Sequence, residues 1–367
     1  MKEIDLKLQG KIKRLTNKTF KFDKRVGEGW FSSVYFLKTK EIIKKHKPND
    51  IVTMQFFQKK HGVLCGTDEV ISLVQTFADH PEELEIHSLE DGDKIEPYET
   101  VLTITGPYQH FGYLEGVIDG IFARRTSVAT NVYGVVKAAR SSGKQKPVIF
   151  MGDRDDHFTQ QAGDGYAAYI GGSQAQTTHA MNEWWGKEGV GTMPHALIQM
   201  FHGDLVAASH AYRDMYPNDR LMALVDYNND VITDSLRVAR EFRGTLDSVR
   251  VDTSGSMVDQ YFFRNPDKMG DFDPTGVNAP LIIALRDALD AENFHDVKIT
   301  VSGGFTAERI QAYEEANVPV DSYGVGSSLL AKTMSFTGDN VLLNGYHEAK
   351  QGRELRVNPK LERIYYS

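Results

Sequence analysis

Two glycine-bearing turns that follow short apolar runs are the parts of this sequence best suited to chemistry. Ser302-Gly303-Gly304 follows Ile299-Thr300-Val301, and Gly324-Val325-Gly326-Ser327-Ser328 follows Val318-Pro319-Val320. Glycine lets backbone come close to an anion, and the free N–H groups at the start of a following helix favour negative charge. Either turn alone is explained by a tight strand–helix connection, but two on consecutive late strands point to a phosphate site. Neither is a Walker loop, because GxxxxGK[ST] does not occur. Arg250 and Asp252 stand two apart on a predicted strand and so share a face. Two readings are open there: an ion pair at a strand end, or a ligand site in which Arg250 holds a phosphate and Asp252 holds ribose hydroxyls or Mg²⁺. His195, in Gly191-Thr192-Met193-Pro194-His195-Ala196-Leu197-Ile198, lacks the HExxH or matched Cys/His spacing of a metal ligand. A structural and a functional role both remain open for it.

Such residues need elements that bring strand ends together. From Tyr113 a helical stretch runs to Arg140 and leads into Val148-Ile149-Phe150. Apolar runs recur at Leu221–Val225, Ser248–Val251, Val297–Val301 and Val318–Val320, with amphipathic helices predicted at Ser235–Phe242, Pro280–Leu289 and Thr306–Ala316. This alternation predicts an α/β fold of parallel strands covered by helices. The number of units suits an irregular parallel (β/α) barrel, whose reactive groups collect at the C-terminal strand ends. Arg154, Asp226, Asp252 and both glycine turns fall in such places. Residues 1–112 read as a smaller β-rich α+β sandwich domain, with strands at Leu84–His87 and Val101–Gly106 around an Asp91-Gly92 turn. The segment 340–367 is expected to join it, leaving 113–339 as the barrel domain.

Composition narrows the classes. Lys and Arg number 42 against 50 Asp and Glu, a formal charge of −8, and 41% of residues are hydrophobic. That excludes a disordered chain and argues against a nucleic-acid binder, whose affinity rests on clustered cations. The single Cys65 precludes an intrachain disulfide and a thiolate zinc cluster. Apolar runs such as Ala279–Leu285 fall short of the ~20 residues of a membrane span. The opening Met1-Lys2-Glu3-Ile4-Asp5 lacks the apolar core of a secretory signal. A cytoplasmic protein without nucleic-acid or membrane partners is expected.

Together these segments resemble the nicotinate phosphoribosyltransferase family, type II phosphoribosyltransferases, in its shorter archaeal-type branch. Gly191–Ile198 matches the family's GTMPHAL segment, Thr126-Ser127-Val128-Ala129-Thr130-Asn131 is similar to its S-x-x-A-T-x helix, and Ala168-Tyr169-Ile170-Gly171-Gly172 to its A-Y-I-G-G stretch. Arg250-Val251-Asp252-Thr253-Ser254, Ser302-Gly303-Gly304 and Tyr323-Gly324-Val325-Gly326-Ser327 match its phosphoribose-binding turns, and Ala349-Lys350-Gln351-Gly352-Arg353 its A-K-x-G-R element. The resemblance implies nicotinate phosphoribosyltransferase activity in NAD salvage, with nicotinamide, quinolinate or a non-catalytic nucleotide-binding barrel as alternatives. It implies that ATP phosphorylates His195 and that Arg250, Asp252, Gly303, Gly304, Gly324 and Gly326 hold phosphoribosyl pyrophosphate with Mg²⁺, Asp252 being its ligand. Thr192, Ser254, Ser302 and Ser327 would complete the substrate contacts. Arg154 would face the pyridine carboxylate, and Tyr35 would stack on the base from a neighbouring subunit, making a homodimer with shared sites.

Several positions depart from the family pattern. Ser33 replaces an aspartate two before Tyr35, Arg154-Asp155 replaces an Arg-Arg pair, and Gln174-Ala175 replaces an aspartate-glycine pair. The C-terminal zinc knuckle of some members is excluded by the single cysteine. The phosphoribose half of the expected site is intact and the base half is altered. The segment Leu224–Thr233 faintly resembles the acidic loop of the other, doubly wound phosphoribosyltransferase class. Tyr227 stands where that loop has its second acid and no glycine follows Thr233, so that fold is rejected.

Overall fold

The structure, a computed structural model, describes residues 14–365. The opening Met1–Asp5 and the last two residues of the 340–367 segment lie outside the described residues. Along the chain the strands are β1 (Ile51–Gln58), β2 (Gly62–Val63), β3 (Glu85–Ser88), β4 (Lys94–Ile95), β5 (Thr100–Pro107), β6 (Val148–Phe150) and β7 (Ala175–Gln176). They continue as β8 (Leu221–Leu224), β9 (Leu246–Val251), β10 (Lys298–Val301), β11 (Ser322–Val325), β12 (Phe336–Leu343), β13 (Tyr346–His347) and β14 (Glu362–Ile364). One six-stranded sheet has the order β13-β12-β1-β5-β3-β14, its pairs all antiparallel. The other has the order β7-β6-β11-β10-β9-β8, its pairs all parallel. Among the described residues its edge strands β7 and β8 do not pair with each other, so the parallel sheet is an open half-barrel.

Register explains how this sheet presents chemistry. Leu224 pairs with Arg250, Arg250 with Thr300 and Thr300 with Ser322. Alternation along β9 puts Ser248 and Arg250 on one face and the fully buried Val249 and Val251 on the other. β10 repeats this, with Ile299 and Val301 in the core and Thr300 on the polar face, where its hydroxyl lies 2.7 Å from that of Ser322. The apolar face packs with the helices Val231–Glu241 and Ala279–Ala291, through Val238, Leu281, Ile282 and Leu285. The latter helix is started by Asn278, whose Oδ1 accepts from the Leu281 amide at 3.0 Å, and by Pro280 in its first turn. Helices therefore claim one face of the strands, and the apolar residues of the strands gather on that face.

The helix Glu115–Ala139 ties the two sheets together. Ser127 Oγ accepts from the amides of Thr333 and Met334, at 3.1 and 3.0 Å, and Asn131 Nδ2 donates to the carbonyls of Leu329 and Ala331. Thr126 and Thr130 bond Cys65 and Val63 on the other side. Gly171 sits so near that a Cβ would lie 2.5 Å from the Ala129 carbonyl oxygen. The Thr126–Asn131 and Ala168–Gly172 stretches thus hold the fold together. Arg125, buried, meets Glu69 in a two-pronged pair at 2.8 and 3.2 Å and Asp164 at 3.3 Å. Burial opposes its charge, but the two carboxylates outweigh burial and hold the guanidinium above its ordinary value.

One expectation shifts in detail. Val318–Val320 is buried but is not a strand, because Pro319 has no N–H for a ladder; the strand begins at Ser322. The antiparallel part is the six-stranded sheet and a separate β2–β4 pair, with the helices Val34–His46 and Thr67–Phe77, in keeping with an α+β domain. No described helix is long and apolar enough to cross a membrane. Arg125→Met leaves Glu69 buried without its cation, which should cost about 3–5 kcal/mol in urea denaturation. A loss below about 1 kcal/mol would mean that the pair holds nothing together.

Candidate functional site

The predicted phosphate residues meet at the C-terminal ends of β9, β10 and β11. Ser302 Oγ donates to Asp252 Oδ1 at 2.8 Å, and a Cβ on Gly303 would lie 3.3 Å from the same oxygen. Gly303 and Gly304 have φ of +88° and +69°, the left-handed region that only glycine enters freely. Gly324 faces Met151 Sδ and Ser302, where a Cβ would come within 2.5 and 3.1 Å. Gly326 faces Asp155, whose Oδ2 would be 2.7 Å from a Cβ there. Side chains at Gly324 and Gly326 would collide with Met151 and Asp155 in the loop after β6.

The guanidinium of Arg250 makes no hydrogen bond or ion pair with a described residue, and its Nε is buried without a partner. The ion-pair reading of Arg250 and Asp252 is therefore not realised. Ser248 Oγ, Thr253 Oγ1 and Asp226 Oδ1 are likewise buried and unpartnered. Native proteins seldom leave such atoms unsatisfied. Arg250, Thr253 and Asp226 stand toward the C-terminal ends of β8 and β9, where a polar ligand would complete them.

His195 opens the short helix His195–Met200 behind Pro194, with its side chain half exposed. Its Nε2 lies 3.0 Å from Oδ2 of Asp226, a residue that is nearly enclosed. Burial pushes the Asp226 carboxyl above its ordinary range; His195 pulls it back and the charge of Asp252 adds to the rise. Sequence reasoning noted Asp226 only as a strand end and set its segment aside. The register held the signal: Leu224 pairs with Arg250, so Asp226 and Asp252 stand at the same level on adjacent strands.

The remaining predicted residues are less gathered. Arg154 is exposed in the loop after β6, without a bond to a described residue. Of its acidic neighbours, Asp156 pairs with Arg124 at 2.7 Å and Asp153 accepts from Thr177 at 3.2 Å, whereas Asp155 is left facing Gly326. Arg124 also holds Asp164 and the Leu330 carbonyl, and so ties the β6 loop to the segment after β11. Thr192 is half-buried in the loop ahead of His195, Ser254 Oγ lies 3.1 Å from Ser256 Oγ, and Ser327 opens a single helical turn. Tyr35 contacts none of these residues. It is 63% exposed on the helix Val34–His46, beside Trp30 (70%), Phe31 and Val34.

Residues 33–126 match the family model described as the N-terminal domain of quinolinate phosphoribosyl transferase. The chain is similar to nicotinate phosphoribosyltransferase pncB2 of Mycobacterium tuberculosis, at 26% identity over 65% of this chain and 47% of that protein. It is also similar to pncB1 of the same organism, at 27% identity over 77% and 63%. It spans about half the length of the first relative and under two thirds of the second. Among solved structures, nicotinate-nucleotide pyrophosphorylase from Pyrococcus furiosus superposes with a TM-score of 0.75 at 28% identity, over 96% of this chain and 86% of that one. Human nicotinic acid phosphoribosyltransferase shares the fold, with a TM-score of 0.67 at 15% identity over 88% and 77%.

The buried Asp226 gives a pH-dependent prediction. Between the ordinary carboxylate range and its raised value, the folded protein keeps a proton that the unfolded chain releases. Its contribution to stability is therefore present in acid and lost as pH rises. Asp226→Asn has no such loss, so in thermal melts from pH 4 to 8 the variant should gain on the wild type as pH increases. A difference independent of pH would mean that the carboxylate carries no burial penalty.

Proposed function

The chain belongs to the nicotinate, type II phosphoribosyltransferase family, and from that premise we propose that it joins nicotinate to 5-phosphoribosyl 1-pyrophosphate, releasing pyrophosphate and giving nicotinate mononucleotide. The observation that carries the reading is the unpaired, half-buried Arg250 beside Asp252 and the Gly303-Gly304 turn. The new bond runs from the pyridine nitrogen to ribose C1 as the C1–pyrophosphate bond breaks. Positive charge develops on the sugar, so catalysis rests on positioning and charge stabilisation. In this reading Arg250 holds phosphate, the Gly303-Gly304 turn receives it on backbone amides, and Asp252, steadied by Ser302, holds the ribose diol.

Asp252 and the unpartnered Oδ1 of Asp226 are hard oxygen donors that fit Mg²⁺, which would neutralise charge on the leaving pyrophosphate. ATP would supply a phosphoryl group to His195. Because Nε2 is held by Asp226, Nδ1 is the nitrogen left to accept it. With its one cysteine buried and reduced, the chain suits the cytoplasm.

One observation favours a second base. The Asp155 carboxylate faces Gly326 with no bonded partner among the described residues, and there it would accept the amide N–H of nicotinamide but repel the carboxylate of nicotinate. The test is turnover of nicotinate, nicotinamide and quinolinate with phosphoribosyl pyrophosphate, each with and without ATP. Nicotinate is expected to react fastest, and faster with ATP. Preference for nicotinamide would assign Asp155 to the base, and no turnover of any base would refute the reading.

The exposed aromatic cluster around Tyr35 supports a two-fold dimer in which Tyr35 enters the partner's site. Tyr35→Ala and His195→Ala should each lack ATP-stimulated turnover alone. Mixed in equal amounts they should regain about a quarter of wild-type activity, because half the dimers are mixed and each holds one undamaged site. Absence of recovery despite demonstrated subunit exchange would mean that Tyr35 does not serve the partner.

A further inference from the structure

Arg309 lies in the first turn of the helix Ala307–Glu315, behind the Gly303-Gly304 turn. Its Nη1 donates to the carbonyl oxygens of Gly303 and Gly304, at 3.0 and 3.3 Å, and its Nη2 donates to the carbonyl of Val277. The guanidinium also stacks on Phe305, with Cζ 4.2 Å from the ring centroid. Val277 belongs to a segment laid against the loop after β9: the Gly276 amide donates to the Met257 carbonyl at 2.8 Å, and Val258 and Thr275 form a bridge. Tyr313 donates to the same Val277 carbonyl at 2.7 Å. One side chain thus fastens the turn after β10 to the support of the loop that carries Asp252–Ser256.

The fastening has a direction. In a planar trans peptide the C=O and the following N–H point opposite ways. With the carbonyls of Gly303 and Gly304 drawn back onto Arg309, the amides of Gly304 and Phe305 are turned away from it, and neither donates to a described residue. Both glycines sit at positive φ, where the backbone has other conformations within reach. Something must select the one that presents N–H groups outward.

We infer that Arg309 is a positioning residue for phosphate: it holds the Gly303-Gly304 turn so that the Gly304 and Phe305 amides are free for the 5-phosphate or pyrophosphate oxygens of phosphoribosyl pyrophosphate. It acts through the backbone without touching the substrate. This inference rests on the function proposed above. Its surroundings suit the task, since a flat fork can hold two adjacent carbonyls and a third at an angle, whereas an ammonium is a point donor.

The experiment compares wild type with Arg309→Gln and Arg309→Lys in steady-state kinetics and in thermal melts with and without inorganic phosphate. Arg309→Gln should raise KM for phosphoribosyl pyrophosphate about tenfold, the loss typical of a charge-assisted contact, and leave KM for the base within about twofold. Its melting temperature should no longer respond to phosphate. Arg309→Lys, which keeps charge and bulk, should fold like wild type and show a smaller rise in the same KM. Equal rises in both KM values, or a lower melting temperature with unchanged KM, would reduce Arg309 to packing and overturn the inference. If the wild type itself neither turns over phosphoribosyl pyrophosphate nor responds to phosphate, the proposed function fails and this inference with it. If the wild type does both and Arg309→Gln behaves identically, only the role of Arg309 falls.

Discussion

A strand has two faces, and in β9 and β10 only one of them is apolar. Everything at the candidate site follows from that restriction. Val249, Val251, Ile299 and Val301 bind the sheet to its helices, which leaves Ser248, Arg250 and Thr300 on the opposite face. Polar groups there need partners, and the chain supplies some of them: Thr300 with Ser322, Ser302 with Asp252. It leaves Arg250 Nε and Ser248 Oγ without any. A sheet of this kind differs from a barrel whose interior is packed by branched apolar side chains. Its open seam between β7 and β8 and its polar lining belong together, because a closed barrel would bury charges that nothing neutralises.

Around this face, long polar side chains do the work of fixing loops. Arg124 draws the β6 loop, the helix Gln161–Ile170 and the segment after β11 to one point. Ser127 and Asn131 anchor the next residues of that segment through backbone amides and carbonyls. These contacts have full hydrogen-bonding partners at both ends, so they hold position without leaving buried groups exposed to a dry interior. Loops on which substrate groups would sit are thereby held by the scaffold.

Legibility in the sequence followed locality. Ser302-Gly303-Gly304 could be read because positive φ on two successive residues demands glycine, a constraint contained in the turn itself. Arg250 and Asp252 could be read because spacing of two on a strand is also local. The His195–Asp226 contact joins residues 31 apart across an irregular loop, and nothing in either neighbourhood announces it. The Thr126–Asn131 stretch was legible as a motif but not as a fastening, since its bonds reach Val63, Cys65 and residues 329–334. The beginning of β11 was misjudged because Val318 and Val320 are buried without being laddered. In each miss, a contact distant in sequence outweighed a local preference.

The order of strands in the antiparallel sheet bears on how a ribosome-bound chain matures. β1 is flanked by β5 and β12, and its ladder with β12 joins Val52 to Leu343. β3 receives its outer neighbour, β14, from Glu362–Ile364. During synthesis β1 therefore presents an unpaired edge until residues 336–343 have emerged, and β3 until residues 362–364, while the parallel sheet is being made in between. Pairings this remote are slow to close, and unpaired edges are where nascent chains associate wrongly. The helix Glu115–Ala139 can be in place much earlier, and its hydroxyl and amide groups are positioned to catch residues 329–334 as they appear, delivering β12 to its place beside β1.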